Sequence, residues 1–479
     1  MNQTANVLSI TDTGRARDIF RRQKEAVLNS PPFSLEERRD NLHKLEAVLV
    51  KHQDAIAEVI SKDFGNRSIH ETKILELFPA IDGLRYTRRH LKKWMKPGKR
   101  HVALWFKGAR NRVIPQPKGV VGIIAPWNYP LFLVISPLTS ALAAGNRCMI
   151  KMAANAQGLC HLLHDILAPV FSEDLLAVLP GVAARDFTPL PFDHLVFTGS
   201  PNSGRTVMKT AGDNLTPVTL ELGGKSPTLI DEDFDIQTAA ERILHVKYMN
   251  AGQTCVAPDY LLLPAHKVDA FIAAAGPIVR QRYPRLDTPD YTSIIDDRSY
   301  QRLIGVIEDA RAKGATVVNL LEGAAPDPDL RKIPPTILRD VTDDMEVMQH
   351  EIFGPLLPIK PYRTLDEALA YINGHERPLA LYLFSNDRQV RETVLSRTMS
   401  GGVSINDCAM HVAQHDMPFG GIGNSGMGQY HGYEGFAEFS KLRPVFQQAA
   451  RPLGASFLYP PYGKAFGTMY KILIKMRWV

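Results

Sequence analysis

The 479-residue sequence has little cysteine: four residues, at positions 148, 160, 255 and 408, none of them in a Cys-x-x-Cys pair. So few thiols exclude a disulfide framework, and the missing pair argues against a zinc ribbon. The first 30 residues are polar and charged and lack the apolar run of a secretory signal. Low cysteine usage is typical of a reducing compartment, so we expect a cytoplasmic protein.

Acidic residues are missing from two segments. Residues 85–107 hold nine basic residues and residues 441–479 hold seven, with no acid in either segment. Since the whole chain has a net charge of +6, the remainder carries −10 and is mildly acidic. Neither basic segment is accompanied by a nucleic-acid recognition motif. The two segments are interpreted as a solvated helix face and a basic tail, and no nucleic-acid partner is expected.

Charge is also absent from residues 120–146, a run of 27 residues. The run is long enough to span a bilayer. However, Pro126, Pro130 and Pro137 interrupt it, and Trp127-Asn128 lies in its middle. A buried strand, a turn and a buried helix explain the run better than a membrane span does.

Short apolar strands alternate with helical segments along the chain. The predicted strands are 120–125, 148–152 and 193–198, and the predicted helices are 34–63, 131–144, 156–170 and 235–249. Such alternation is typical of βαβ units and predicts a parallel sheet. The pattern resumes after 225 and continues to about 405, with no internal repeat or low-complexity linker. Two α/β lobes are the simplest interpretation.

Two residues are candidates for covalent chemistry. Cys255 follows Gly252 and small neighbours that leave a thiol approachable, as a nucleophile requires. Taken alone, a cysteine is more often a small buried hydrophobic residue, as Cys148 and Cys160 are predicted to be. Glu221 ends an apolar run, where burial would raise its pKa toward the range of a general base. The alternative is a salt bridge from Glu221 to Lys225.

Two turns offer polar groups. Residues 199–204, Gly-Ser-Pro-Asn-Ser-Gly, follow a strand and open a helix, where backbone N–H groups can face a phosphate. Asn128 lies in a rigid turn and suits either an oxyanion hole or turn capping. His161 and His164 are three residues apart on a helix, but no second ligand cluster accompanies them, so no metal site is expected.

Together these pieces resemble the NAD(P)-dependent aldehyde dehydrogenases, from about residue 15 to 445. The matching motifs are Pro-Trp-Asn-Tyr-Pro at 126–130, Phe-Thr-Gly-Ser at 197–200, Glu-Leu-Gly-Gly-Lys at 221–225, Gly-Gln-Thr-Cys at 252–255, Glu-Ile-Phe-Gly-Pro at 351–355 and Pro-Phe-Gly-Gly at 418–421. Residues 253–260 and 426–432 are similar to the class 3 branch, whose members are typically dimers. Within it, the chain looks most like bacterial coniferyl aldehyde dehydrogenases.

The resemblance implies a covalent mechanism. Cys255 would attack the aldehyde, Asn128 would hold the oxyanion, and Glu221 would activate water to release the acid from a thioester. The cofactor would be NAD and possibly NADP, because the family's common glutamate three residues after Lys151 is replaced here by Ala154. The residues expected to bind it are Trp127, Lys151, Gly199, Ser200, Gly204, Leu222, Gly223, Glu351 and Phe353. The expected substrate is an aromatic, cinnamyl-type aldehyde such as coniferyl aldehyde, or a medium-chain aliphatic one.

The resemblance also implies an architecture: the aldehyde dehydrogenase fold, α/β in class. A Rossmann-like NAD(P)-binding domain would span 1–98 and 118–221, a catalytic domain 222–404, and a bridging, oligomerisation element 99–117 with 405–441. Residues 442–479 would form a basic tail, in which apolar residues recur at helical spacing: Phe466, Met469, Tyr470, Leu473 and Met476. We expect a homodimer in which the tail packs on the partner near the substrate entrance, with membrane contact as the alternative.

Two other classes of function remain possible from the residues alone. A thiol hydrolase could use Cys255 and Glu221 without a cofactor, and a binding protein could use the same fold without catalysis. Both leave residues 351–355 and the 199–204 turn unexplained. Neither alternative predicts that reduced cofactor forms when an aldehyde is added.

Overall fold

The structure is a computed structural model that describes residues 4–103, 106–450 and 459–475. The α-helices are α1 (Thr4–Asn29), α2 (Leu35–Lys51), α3 (Gln53–Phe64), α4 (Ile69–Thr72), α5 (Phe78–Trp94), α6 (Phe132–Ala144), α7 (Gln157–Leu167), α8 (Ala184–Phe187), α9 (Pro201–Gly212), α10 (Ile236–Tyr248), α11 (Val268–Arg282), α12 (Asp297–Ala312), α13 (Glu346–Gln349), α14 (Leu365–Asn373), α15 (Arg388–Arg397), α16 (Gly432–Glu438) and α17 (Lys464–Lys475). The strands are β1 (Gly98–Arg100), β2 (Arg110–Pro117), β3 (Val120–Ala125), β4 (Arg147–Met152), β5 (Leu176–Val178), β6 (His194–Thr198), β7 (Val218–Glu221), β8 (Pro227–Ile230), β9 (Tyr260–Pro264), β10 (Thr316–Asn319), β11 (Thr336–Arg339), β12 (Leu356–Tyr362), β13 (Ala380–Phe384), β14 (Gly402–Ile405), β15 (Gly426–Met427) and β16 (Ser440–Gln447).

The uncharged run at 120–146 forms a strand, a turn and a helix, as predicted. All residues of β3 and α6 are buried, as is usual for a parallel strand and helix covered on both sides. The helix ends at Gly145, which takes the left-handed conformation (φ 90°) that helix C-termini favour. Within the described ranges, no helix is long and apolar enough to cross a membrane.

The predicted strands and helices between 120 and 249 are confirmed, each within a few residues of its expected ends. The single helix predicted over 34–63 is wrong in one respect. It is divided at His52, whose backbone (φ −107°, ψ 16°) leaves the helical region and separates α2 from α3. Both helices bury an apolar face, so apolar residues recur at helical spacing on both sides of His52. The sequence pattern therefore does not show that the helix is interrupted there.

The first sheet has the strand order β15-β7-β6-β3-β4-β5. Strands β3 to β7 are parallel, and β15 joins the edge antiparallel to β7. From β3 the chain winds outward to β4 and β5, and it then returns to place β6 on the other side of β3. Such a reversal opens a crevice at the carboxyl ends of the two central strands, where α/β folds bind ligands.

A second sheet lies later in the chain, with the order β10-β11-β12-β9-β8-β13-β14. All of its strands are parallel except β10, which pairs antiparallel with β11. A third, antiparallel sheet has the order β1-β2-β16, in which residues 110–117 of β2 pair with residues 440–447 of β16 and β1 pairs with the other edge of β2. The chain therefore has the α/β class and two-lobed organisation that the sequence predicts.

The C-terminal part of the chain ends in α17, at the position where an amphipathic helix is predicted. Its lysines and several of its apolar side chains are exposed, among them Tyr470, Ile472 and Ile474. Met476, which the prediction included, lies outside the described residues.

Candidate active site

Cys255 lies just after a tight turn of the backbone. Asn250, Ala251 and Gly252 all have positive φ (52°, 49° and 74°), the left-handed region that asparagine and glycine tolerate best. A Cβ at Gly252 would lie 2.2 Å from the carbonyl oxygen of Gly354. The turn therefore requires glycine at 252, and it brings the thiol segment against the backbone at 354.

A buried glutamine holds this turn in place. The Nε2 of Gln253 donates to the carbonyl oxygens of Asn250 (3.0 Å) and Ser293 (3.1 Å), and its Oε1 accepts from the N–H of Ile295 (2.9 Å). The Nδ2 of Asn250 donates to the carbonyl oxygen of Asn128 at 3.0 Å. The loops that carry Cys255 and Asn128 are thus tied together by buried hydrogen bonds.

A buried ion pair supports the Asn128 loop from the other side. The Nη1 of Arg67 donates to Glu76 (2.7 Å) and to the carbonyl oxygen of Asn128 (3.1 Å). Glu76 also accepts from the N–H groups of Leu131 and Phe132, at the start of α6. A carboxylate at a helix N-terminus is favourable, because it satisfies N–H groups that have no partner in the helix.

Glu221 is the last residue of β7 and faces the thiol. Its Oε1 accepts from the Sγ of Cys255 at 3.6 Å, and its Oε2 accepts from Thr198 at 3.3 Å and from the Oη of Tyr430. Burial raises the pKa of Glu221 to about 7, although the three hydrogen bonds oppose the rise. Such a carboxyl group exchanges protons readily near neutral pH.

The thiol of Cys255 is half-buried and lies beside negative charge. Desolvation and the nearby carboxylates of Glu221 and Glu351 raise the pKa of Cys255 well above its usual range. The thiol therefore keeps its proton in this state of the site, and Glu221 is the group near enough to accept it. A thiol that is protonated at rest is protected from oxidation until the site is filled.

Cys255 and Glu221 lie where two cavities meet. The larger cavity has a volume of about 630 Å³ and the smaller one about 370 Å³, and both residues line both cavities. Each volume is within the ~300–1,000 Å³ typical of small-molecule sites. The arrangement gives a reacting thiol access from two opposite sides.

The larger cavity opens at the crevice between β3 and β6. Most of the residues predicted to hold a cofactor line it, together with Asn128: Trp127, Gly199, Ser200, Leu222, Gly223, Glu351 and Phe353. Lys151 and Gly204 are outside this lining. Lys151 lies half-buried on β4, and a Cβ at Gly204 would lie 2.6 Å from the side chain of Leu222, so this glycine permits α9 to pack closely.

Several features of the larger cavity fit a dinucleotide. The Oε1 of Glu351 is buried without a hydrogen-bond partner, as an acceptor awaiting a ribose hydroxyl would be. Burial raises the pKa of Glu351 to about 8. Ser200 caps the N-terminus of α9, an end that attracts phosphate. A Cβ at Gly223 would lie 2.1 Å from the Glu351 carboxylate, so a larger residue there would displace this carboxylate.

The predicted alternative for Glu221, a salt bridge to Lys225, is wrong. The Nζ of Lys225 donates instead to the carboxylate of Asp259 and to the carbonyl oxygens of Val347 (2.8 Å) and His350 (2.9 Å). Asp259 in turn accepts from the N–H of Ile352 at 2.9 Å. Lys225 thus orders the loop that presents Glu351 and leaves Glu221 without a cationic partner.

The smaller cavity is mainly apolar. Its walls come from α5, from the start of α6 and from residues 409–419; they include Phe78, Phe132, Leu133, Val412 and Phe419. The wall also includes Tyr129, whose Oη shares a hydrogen bond of 2.9 Å with Thr254, next to the thiol. An apolar substrate can reach Cys255 here while a cofactor occupies the opposite cavity.

Sequence reasoning missed two contacts of this site. Tyr430 lies 209 residues from Glu221, and Thr198 lies 23 residues away on β6, yet both donate to the same carboxylate. Tyr430 belongs to the 426–432 segment that resembles the class 3 branch, and this resemblance was the only sign in the sequence that Tyr430 lies near the active site. His161 and His164 are ordinary helix residues, and no metal-binding cluster occurs in residues 4–103, 106–450 and 459–475.

Comparison with known proteins agrees with this geometry. A model of the aldehyde dehydrogenase family matches residues 6–445. A probable coniferyl aldehyde dehydrogenase of Pseudomonas aeruginosa is 50% identical over 462 residues, covering 95% of this chain and 96% of that protein. The dimeric NADP-preferring aldehyde dehydrogenase of mouse is 36% identical, covering 95% and 98%.

The fold comparison gives the same result. The substrate-bound structure of Staphylococcus aureus AldH superposes with a TM-score of 0.90 at 36% identity, covering 96% of this chain and 99% of that one. The fold, the two meeting cavities and these relatives agree. The chain belongs to the aldehyde dehydrogenase family, whose reaction is the NAD(P)-dependent oxidation of an aldehyde to a carboxylic acid.

Proposed function

We propose that this enzyme oxidises an aromatic, cinnamyl-type aldehyde, such as coniferyl aldehyde, through a thioester on Cys255. The observation that carries the proposal is the position of Cys255 and Glu221 at the junction of an apolar cavity and a cavity suited to a dinucleotide. A medium-chain aliphatic aldehyde is the second candidate, because the smaller cavity is apolar throughout most of its wall.

In the first step, the Sγ of Cys255 forms a bond to the aldehyde carbon and the carbonyl electron pair moves onto oxygen. The Asn128 amide and the backbone N–H of Cys255 hold that oxyanion. The thiol proton goes to Glu221, whose Oε1 lies 3.6 Å from the Sγ. A tetrahedral oxyanion expels hydride where a planar aldehyde cannot, which is the reason for covalent catalysis here.

In the second step, Glu221 first releases the thiol proton to solvent and is again ionised. It then accepts a proton from water as the water oxygen attacks the thioester carbon. The C–S bond breaks, Glu221 returns this proton to the sulfur to regenerate the thiol, and the carboxylic acid leaves. The pKa of about 7 suits Glu221 to this task, because a base with a pKa near the working pH is both ionised and strong enough.

The cofactor residues have separate tasks in this proposal. NAD(P), when bound, accepts the hydride that leaves the substrate carbon. Glu351 would accept hydrogen bonds from the nicotinamide ribose, and Phe353, whose ring lies 5.4 Å from that of Trp127, would pack on the nicotinamide. Ser200 and the N-terminus of α9 would hold the pyrophosphate, with Gly199, Leu222 and Gly223 beside it. Lys151 would contact the adenosine ribose, while Gly204 permits close packing of α9.

The domain roles follow the sheets. We assign cofactor binding to residues 1–98 and 118–221, catalysis to 222–404 and bridging to 99–117 with 405–441. Strand β15 departs from this division, because it pairs with β7 of the first sheet.

We expect a homodimer; the mouse relative is named as a dimeric enzyme. The tail at 442–479 is assigned to the partner's substrate entrance, with membrane contact as the alternative, and the compartment is expected to be the cytoplasm.

The proposal is tested with purified enzyme by following reduced cofactor. A panel of cinnamaldehydes, benzaldehydes and straight-chain aldehydes is compared by kcat/KM. The highest value is expected for a cinnamyl aldehyde. If straight-chain aldehydes exceed every aromatic one, the substrate assignment is wrong, although the family reaction stands.

A further inference from the structure

The mainly apolar wall of the smaller cavity includes a few polar side chains: Cys255, Glu221, Tyr129, Thr254, His245, Asp82 and His415. Among them, Asp82 and His415 form a pair, with 3.1 Å between the carboxylate Oδ2 and the imidazole Nε2. The Asp82 side chain is 48% exposed and that of His415 is 14% exposed, whereas Glu221, beside the thiol, is 1% exposed. The pair therefore lies nearer to solvent than the carboxylate beside the thiol does.

The Asp82 carboxylate can accept more hydrogen bonds than His415 donates to it. Burial lowers the pKa of His415, with Asp82 opposing the effect, so the imidazole is neutral near pH 7. Its single Nε2–H accounts for only one site on the Asp82 carboxylate. A Cβ at Gly83 would lie 3.3 Å from the His415 ring, which shows that α5 packs directly against the imidazole and fixes its position.

Carboxylates elsewhere in this protein already bind phenol groups. The Oη of Tyr371 donates to Asp343 at 2.7 Å, and the Oη of Tyr86 donates to Asp416, the residue after His415. A phenol O–H is a strong donor to a carboxylate, because the bond is charge-assisted. A substrate phenol at the mouth of the cavity would make the same kind of bond.

We propose that Asp82 and His415 form a specificity subsite that binds the ring hydroxyl of a 4-hydroxylated aromatic aldehyde while its aldehyde carbon lies at Cys255. This inference rests on the proposed function, since it names the substrate group that the cavity selects. The para hydroxyl lies at the opposite end of the molecule from the aldehyde, and the Asp82–His415 pair lines the same cavity as the thiol at a more exposed position than Glu221.

The subsite also selects against other aldehydes. An alkyl chain or an unsubstituted ring that fills the cavity removes water from Asp82 without replacing its hydrogen bond. A site built to bind a hydroxyl therefore discriminates against an analogue that lacks one. Because Asp82 is half-exposed, we expect the discrimination to be moderate, roughly tenfold rather than the ~10⁴-fold of fully buried sites.

The test compares 4-hydroxycinnamaldehyde, cinnamaldehyde and 4-methoxycinnamaldehyde on the full-length enzyme. In the wild type, kcat/KM for the hydroxylated aldehyde should exceed that for cinnamaldehyde by roughly tenfold. The methoxy compound cannot donate, so it should resemble cinnamaldehyde. In Asp82→Asn, the ratio of hydroxylated to plain aldehyde should fall toward one, and His415→Phe should lower it as well.

Asp416→Asn is the matched control, because it removes one carboxylate beside the mouth that does not line the cavity. It should keep the wild-type ratio. Each ratio is internal to one enzyme preparation, so a loss of folded protein does not alter it. An equal kcat/KM for the two aldehydes in the wild type, or an unchanged ratio in both Asp82→Asn and His415→Phe, would overturn the subsite. Failure of the proposed function looks different, because all three cinnamaldehydes would then be slower than straight-chain aldehydes.

Discussion

The Oη of Tyr430 donates a hydrogen bond to the carboxylate of Glu221, on the oxygen that does not face Cys255. The hydrogen bond crosses between β7 and the segment that follows β15, the antiparallel strand at the edge of the first sheet. It stabilises the ionised form of Glu221. Burial raises the pKa of this group to about 7, and without the hydrogen bond from Tyr430 the pKa would be higher still.

Replacing Tyr430 by phenylalanine should move the pH dependence of turnover. Glu221 acts as a base only when ionised, so activity falls as the pH drops through its pKa. Loss of a hydrogen bond to a charged group, worth ~1.5–3 kcal/mol, raises that pKa, so the acidic limb should move to higher pH by about one unit or more. The measurement is kcat against pH for both enzymes. Tyr433→Phe, an exposed tyrosine nearby, should leave the profile in place.

The roles of the two central residues can be separated by substitution. Cys255→Ala should abolish aldehyde oxidation and leave cofactor binding intact, because the nucleophile does not hold the dinucleotide. Glu221→Gln should slow acylation, because an amide cannot take the thiol proton, and should slow deacylation further, so that a slow single burst of reduced cofactor survives in rapid-mixing experiments. Cys408→Ala removes a buried thiol that lines neither cavity, and it should remain active. More than a trace of activity in Cys255→Ala would refute the assignment.

Local sequence patterns predicted the three central strands of the first sheet, β3, β4 and β6, and missed most of the side-chain contacts within the site. The apolar run of β3 and the glycine that ends α6 are local signals, and both gave correct boundaries. Tyr430 and Glu221 meet only because β15 pairs with β7, and nothing local to either residue shows this. Likewise, Lys225 was expected to pair with its neighbour Glu221, but the fold brings Asp259, 34 residues later, to its ammonium group.

The ion pair between Arg67 and Glu76 should contribute strongly to stability. Both side chains are fully buried, and Glu76 also caps the start of α6. Breaking a buried pair costs about 3–5 kcal/mol when the remaining charge has no other partner. Glu71 lies 3.9 Å from Arg67 and compensates part of its charge, so Glu76→Gln should lower the free energy of unfolding by up to about that amount in urea titrations. Glu58→Gln, on the exposed face of α3, should change it by less than ~0.5 kcal/mol.

The exposed apolar side chains of α17 predict a role for the tail in access to the site. Deleting residues 456–479 should alter KM for bulky aldehydes more than for small ones, since a helix near the entrance obstructs large substrates most. Equal effects on both classes would contradict such a gate. Salt-sensitive binding of the intact enzyme to anionic liposomes would favour membrane contact instead, because the lysines of α17 would then meet lipid headgroups.

We expect cofactor choice to depend on residues 151–155, at the end of β4 and before α7. Ala154 is exposed at the start of a short 3₁₀ turn, so a longer side chain fits there without a clash. The neighbouring Asn155 could have contacted the ribose in place of the missing glutamate. Its Nδ2 donates instead to the Asp296 carboxylate at 2.8 Å, across to the residue that caps α12. Because the Asn155 amide already makes this hydrogen bond within the protein, we do not expect it to bind the ribose.

We therefore expect the enzyme to use both NAD and NADP, with neither favoured by more than about 2 kcal/mol, roughly thirtyfold. No carboxylate at 154 repels the 2′-phosphate, and Lys151 is near enough in sequence to pair with it. Ala154→Glu should cut kcat/KM for NADP sharply and spare NAD, because the new carboxylate repels the phosphate and accepts from ribose hydroxyls. Ala154→Gln, which has the same length without the charge, should keep most NADP activity. A wild type that rejects NADP a thousandfold, or a glutamate without effect, would contradict this role for position 154.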